Sequence, residues 1–296
     1  MNYFGKENPL TSLIAPTDFN NVVSSLRTFF HSRNFLEVHT QNRLSILAAC
    51  EDPTTVATYN YNDIIWPLPQ TGQMWLEYEL LNNPDLKGVF CVSTSYRQEQ
   101  NPVEGRHEVI FPMFEFEAPG DFQDLLNMER DLIRHLGFMG EIGHIVGPFP
   151  EKTYGMWCQE FDCEELDHAH EQMISDSHPT GVGFITRFPY YTSPFWNMKN
   201  EDDLANKCDV IMGGMETIGS AERSADPEEM REQFHTISDG MYANLLYELF
   251  GKNRVDKELD DFLSLDFVPR VGGGIGMTRI LNAMNDYTIR QIVANM

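Results

Sequence analysis

The chain has 296 residues, 42% hydrophobic and 12% aromatic, enough apolar material for a sizeable core and unlike a disordered or fibrous chain. Its 45 Asp and Glu against 21 Lys and Arg leave a formal charge of −24, which disfavours extended nucleic-acid binding, because phosphate contacts call for a basic surface. No run of eighteen apolar residues occurs and the N-terminal MNYFGKENP lacks a basic-then-apolar leader, so a cytoplasmic protein with no membrane association is expected.

In chain order, residues 17–31 predict a helix capped by Thr17 or Asp18, with Phe19, Val22, Val23, Leu26, Phe29 and Phe30 on one apolar stripe. Residues 35–38 follow as a strand. Residues 71–81 suggest a second helix carrying Gln73 and Glu77 four apart, hence on one face. Residues 89–95 and 109–117 read as a strand pair joined by a charged loop, 122–136 as a helix and 181–188 as a strand. The segment CDVIMGGMETIGSAER, residues 208–223, reads as a hairpin around Gly213 and Gly214. Asp226 and Pro227 begin a further helix, with Glu228 and Glu229 in the first turn suiting its dipole. Helix continues from Met230 to Phe250 with an interruption near Gly240. Strands paired locally without regular β-α alternation define an α+β fold on an antiparallel sheet.

Two distant segments carry the chemistry. STSYRQEQNPVEGRHEVIFPMFEFE, residues 93–117, bears Arg97, Glu99, Arg106 and His107. VPRVGGGIGMTRIL, residues 268–281, packs four glycines into five positions and then places Arg279 on a helix. Arginine forks suit phosphate oxygens, and glycines let backbone approach a ligand or a neighbouring element. Together they suggest a polyphosphate site. A dinucleotide fingerprint is excluded, since Met277 stands where the third glycine belongs, and no P-loop motif occurs. By itself the glycine run, Gly272–Gly276, reads more often as a tight structural turn than as a nucleotide site.

Other residues keep two readings. Phe111 is a core ring or a platform for a base, and Glu115 and Glu117 can line a solvated sheet face. Asp209 and Glu216 bridge a hairpin or hold a cation. His168 and His170 in DHAHE read as exposed residues without a role. The cysteines (Cys50, Cys91, Cys158, Cys163 and Cys208) are odd in number and scattered, as reduced thiols would be.

Taken together, the segments resemble the three signature motifs of class II aminoacyl-tRNA synthetases, in order: SRNFLEVHT, then SYRQEQ…GRHEVIFPMFEFE, then GGGIGMTR. PQTGQMWLE, FPYYTSPFWNMK and CDVIMGGMETIGSAER are similar to segments of the aspartate/asparagine branch, and the likeness spans residues 17–285. Only about sixteen residues precede the first motif, so the expectation is a single catalytic domain over residues 1–296 without an anticodon-binding domain. Such a core resembles asparagine synthetase A and its archaeal synthetase-like relatives.

The resemblance implies a sheet of about six antiparallel strands flanked by helices. It implies ATP and Mg2+ as cofactors, a homodimer, and a ligase that activates aspartate and passes it to ammonia. Transfer of asparagine, aspartate or a related amino acid to a tRNA (disfavoured by the acidic charge) or other small acceptor, and a non-catalytic amino-acid or nucleotide sensor, remain as alternatives. By resemblance, Arg97 and Arg279 are the catalytic pair. ATP falls to Arg97, Glu99, Arg106, His107, Phe111, Glu216, Gly274, Gly276 and Arg279, the amino acid to Thr71, Gln73, Glu77 and Arg223, and the metal to Asp209 and Glu216. Four positions depart from the family pattern: Gln41, Leu76, Ile110 and Ala221. Leu76 followed by Glu77 stands where aspartate-specific enzymes carry lysine, closer to the asparagine-specific pattern.

Overall fold

The computed structural model describes residues 14–41, 43–48, 53–103, 105–139, 148–192 and 194–294, with backbone alone for 47, 48, 293 and 294; the N-terminal MNYFGKENP and Cys50 lie outside these. The strands are β1 (Leu36–Glu37), β2 (Thr58–Tyr61), β3 (Ile64–Pro67), β4 (Val89–Tyr96), β5 (Ile110–Pro119), β6 (Glu151–Thr153), β7 (Val182–Pro189), β8 (Asn200–Glu201), β9 (Leu204–Met212), β10 (Met215–Arg223) and β11 (Arg270–Gly276). The helices are α1 (Pro16–Ser32), α2 (Ser45–Ala48), α3 (Gln73–Asn82), α4 (Phe122–His135) and α5 (Tyr154–Phe161). They continue as α6 (His168–Asp176), α7 (Pro227–Thr236), α8 (Met241–Phe250), α9 (Lys252–Leu263) and α10 (Met277–Ala294).

The expected antiparallel sheet is present and larger than anticipated. Nine strands run in the order β1-β4-β5-β11-β10-β9-β7-β6, with β8 beside β9. The six from β4 to β7 are antiparallel, while β1 and β6 join the two edges in parallel. β1 falls within the strand expected over 35–38, while β6, with three residues, is too short for hydrophobic alternation to register in the sequence.

Strand alternation sorts the side chains into two layers. On β5, Phe114, Phe116 and Ala118 join Phe29, Phe30 and Phe90 in a core closed by α1, α4 and α10. Phe111, Met113, Glu115 and Glu117 therefore face the other way. That second face is roofed at one end by α3 and α7–α9 around Trp196, Phe234, Leu246 and Leu259, and at the other by α5 and α6 around Trp157 and Ile174. A trough remains between the two roofs.

Several local expectations need correction. Helix α1 is capped by the backbone of Ala15, with Pro16 in its first turn, and neither Thr17 nor Asp18 serves as the cap. Proline suits that position because the first N–H groups have no helical partner. The glycine run forms strand β11, and none of Gly272, Gly273, Gly274 and Gly276 has positive φ. Its glycines answer to close approach: a Cβ on Gly272 would stand 1.9 Å from the Glu117 carboxyl carbon. The hairpin around Gly213 and Gly214 stands as expected, its two glycines at φ 58° and 80°, the combination a tight primed turn requires.

Candidate active site

The register across the sheet explains why a cleft forms. Glu115 pairs with Gly274, Gly274 with Gly219, and Gly219 with Asp209. One row along, Glu117, Gly272, Ala221 and Lys207 succeed each other in the same way. Long polar side chains flank a strip of glycine and alanine, so the floor is bare backbone between charged walls.

Two adjoining pockets occupy the trough, of about 110 Å³ and 190 Å³. The smaller is lined by Thr71, Gln73, Glu77, Lys207 and Arg223, with Met74, Met198 and Phe195 on its apolar side. The larger is lined by Glu99, Arg106, His107, Phe111, Gly276 and Arg279. Arg97, Met113, Glu216, Gly219 and Gly274 belong to both. Arg97 thus stands on the partition, its guanidinium 5.6 Å from the centre of the Phe111 ring. Phe111 is half-buried at the pocket wall on the face opposite Phe114, which removes its core-ring reading.

Cationic groups in the larger pocket already have partners. Arg279 donates to the carbonyl of Glu216 at 2.6 Å and to that of Arg106 at 3.3 Å. Arg106 pairs with Glu171 and donates to the Gly214 carbonyl at 3.3 Å. His107 Nδ1 lies 2.8 Å from Glu99. Sequence reasoning had no means to find Glu171, because α6 reaches the cleft through its packing against β7, β9 and β10.

Beneath the smaller pocket lies a buried ionic network. Glu77 is fully buried and receives Arg270 Nε at 2.9 Å and the Asn197 amide at 2.6 Å. Arg223 donates to Gln73 at 2.8 Å and to Glu117 at 2.5 Å. Glu115 accepts from Thr71 Oγ1 at 2.6 Å, Ser93 at 2.5 Å and the Gly72 amide at 2.9 Å, fixing the loop that enters α3. Glu115 and Glu117 are both completely buried, so the solvated-face reading was wrong. In sequence they sit in an alternating strand, and only the second layer of helices covers them. Leu76 packs with Leu80, Val89 and Cys91.

Burial pushes the Glu117 carboxyl up to about 8, aided by Glu77 and opposed by Arg223. Beneath the sheet, burial likewise raises Glu129 to about 7. Both groups bind a proton more tightly folded than unfolded. Their contribution is full below pH ~4.5 and is lost as pH climbs to ~8. Urea midpoints are therefore expected to fall between pH 6 and pH 8, and Glu129→Gln to flatten that fall; a midpoint rising over this window contradicts the assignment.

A divalent cation can be tested against the residues present. A bulge between Glu216 and Ile218 turns Glu216 to the face that carries Asp209. Glu216 Oε1 and Asp209 Oδ1 lie 2.7 and 3.8 Å from the position of a Cβ on Gly219. Two converging carboxylates, with phosphate oxygens and water completing the shell, fit Mg2+. Burial acts to raise the Glu216 carboxyl, but Lys207, Arg279, Arg97 and Arg106 outweigh it and hold it below the usual range. His170 belongs to the α6 cap, where it meets the Asp167 amide, and His168 is exposed.

This antiparallel core, with an arginine-walled trough across glycine strand β11, defines the architecture of a class II synthetase catalytic domain. Residues 17–294 match the family of class II tRNA synthetases for D, K and N, and the chain belongs to that family. The cytoplasmic asparagine–tRNA ligase of Mus musculus is 26% identical over 92% of this chain and 51% of its own length. The aspartate–tRNA(Asp) ligase of Thermoplasma volcanium is 24% identical over 73% and 55%. Asparaginyl-tRNA synthetase from Pyrococcus horikoshii, solved with asparaginyl-adenylate, superposes with a TM-score of 0.72 at 18% identity, covering 95% of this chain and 66% of that one. The chain thus spans about half to three fifths of the curated relatives' length. Among the described residues, no helix is long and apolar enough to cross a membrane.

Proposed function

We propose that the protein activates aspartate or asparagine with ATP as an acyl-adenylate. The observation that carries this reading is Arg97 on the wall shared by a pocket of amino-acid size and a pocket lined by Arg106, His107 and Arg279. The substrate carboxylate is already a nucleophile at neutral pH. Its oxygen attacks the α-phosphorus of ATP, a new P–O bond forms, and the bond to the bridging oxygen breaks with release of pyrophosphate. Arg97 neutralises charge where the two substrates meet, and Arg106, His107 and Arg279 receive the outer phosphates. Phe111 offers its ring, and Glu99 its carboxylate, to adenine. Asp209 and Glu216 would hold Mg2+, which would supply neutralisation of phosphate charge. Arg223 and Gln73 face the substrate's side chain and amino group, with Thr71 and Glu77 shaping the wall.

The second step passes the acyl group to a nucleophile. Ammonia, yielding asparagine from aspartate, is one acceptor. A tRNA is the other, and it draws support from the relatives, which are tRNA ligases, and from Glu77 beside Arg223, a pairing suited to an amide. A soluble, cytoplasmic homodimer of a single catalytic domain belongs to the same proposal. Amino-acid-dependent ATP–pyrophosphate exchange across all amino acids, repeated with ammonia and with total tRNA, tests it. Exchange with aspartate or asparagine is the expected result. Product formed only with ammonia or only with tRNA identifies the acceptor, and no exchange with any amino acid overturns activation in favour of a binding-only sensor.

A further inference from the structure

Lys207 was not singled out by any motif, yet it is a cation beside Asp209, one of the two carboxylates assigned above to metal. Strand β9 places it two residues from Asp209 and therefore on the same face. Its Nζ lies 3.2 Å from Asp209 Oδ2. The ring of Phe188 stands 4.5 Å from the same nitrogen, and the side chain is 14% exposed, so the ammonium is held rather than waving in solvent. Opposite it across the ladder is Ala221, too small to intervene. Lys207 and Glu216 line the same smaller pocket. Lys207 lines the smaller pocket, whereas Arg106 and Arg279 line the larger.

We infer that Lys207 is a built-in counter-cation for Asp209 and Glu216, which orders the two carboxylates and keeps the nucleotide-free protein a poor binder of divalent metal. This rests on the reading of that pair as the metal carboxylates. A dication arriving alone meets a lysine and three arginines around two carboxylates, and it must share or take Asp209 from Lys207. A dication arriving with a polyphosphate brings the negative charge that offsets those cations. Metal therefore enters as its nucleotide complex, and Lys207 sets that order.

Mn2+ binding to the ATP-free protein, followed by electron paramagnetic resonance, tests the inference without any turnover. Lys207→Met is expected to tighten Mn2+ binding at least ~10-fold, because a like charge a few ångströms from the ion is removed. Lys207→Arg, which keeps the charge, is expected to bind as weakly as the parent. Adding Asp209→Asn to Lys207→Met is expected to abolish the gain. Equal affinity of parent and Lys207→Met overturns the inference, as does an equal gain from Lys207→Arg. Lys207→Gln carries the same expectation should the methionine variant fail to give a parent-like thermal melt. Pyrophosphate exchange, run separately, judges the activation reading: tightened Mn2+ binding in a protein without exchange upholds Lys207 and rejects activation, and the converse separates them the other way.

Discussion

Replacing Arg97 with alanine is expected to lower amino-acid-dependent pyrophosphate exchange by ~100-fold or more, the size of loss seen when one preorganised donor to a transition state is deleted. Arg97 is on the partition of the two pockets, where a carboxylate oxygen and an α-phosphate would come together. Two anions meeting in a half-enclosed trough repel strongly, and a permanently charged planar fork can donate to both at once. Arg97→Lys keeps the charge and forfeits the fork, so an intermediate loss is expected, and the two variants together separate charge from geometry. The effect should fall on kcat more than on KM if Arg97 acts where charge develops. A loss below ~10-fold in kcat/KM with Arg97→Ala is incompatible with this assignment.

The largest stability effect is expected at Arg270, for reasons unrelated to turnover. Its side chain is fully buried, with Nε 2.9 Å and Nη2 2.7 Å from Glu77 and Nη1 donating to the Ser224 carbonyl at 2.9 Å. Arg270→Met preserves much of the volume and takes the closest cation from the fully buried Glu77 carboxylate, and removing one partner of a buried ion pair costs about 3–5 kcal/mol. The remaining cation near Glu77 is Arg223, whose Nε is 3.6 Å away and which is already engaged by Glu117. Pairing Arg270→Met with Glu77→Leu removes both charges and should restore most of the loss, an interaction energy that a double-mutant cycle reads directly. Urea denaturation at neutral pH measures all three variants. A single-variant loss under ~1 kcal/mol, or no recovery in the double variant, shows that the network is not the stabilising contact described.

Much of this architecture was readable in advance because its signals are local. The amphipathic stripe from Val22 to Phe30, the Asp226–Pro227 helix start and the Gly213–Gly214 hairpin each reflect preferences set within a few residues, and each stands in the structure. The strand expected over 35–38 stands as β1, whereas edge strand β6, the β2–β3 hairpin and helices α5, α6 and α9 were not read. A three-residue strand such as β6 lacks any periodicity to read, and short helices draw their stability from what they cover. The glycine strand was ambiguous for a related reason: glycine permits turn and strand alike, and it is the Glu117 carboxylate, 155 positions earlier in the chain, that makes Gly272 necessary.

The sequence by itself determined the residue types the site would need and the order of the segments supplying them: Arg97, Arg106 and His107 early, Asp209 and Glu216 between, Arg279 last. Only the tertiary structure decided how they meet. Ladder register sets glycine between charged walls, the bulge after Glu216 turns that carboxylate towards Asp209, and Lys207 and Arg270 enter as charges no motif announced. The physical reason is range: propensity and alternation act over a few bonds, whereas burial and charge pairing depend on which distant strands come to lie about 5 Å apart.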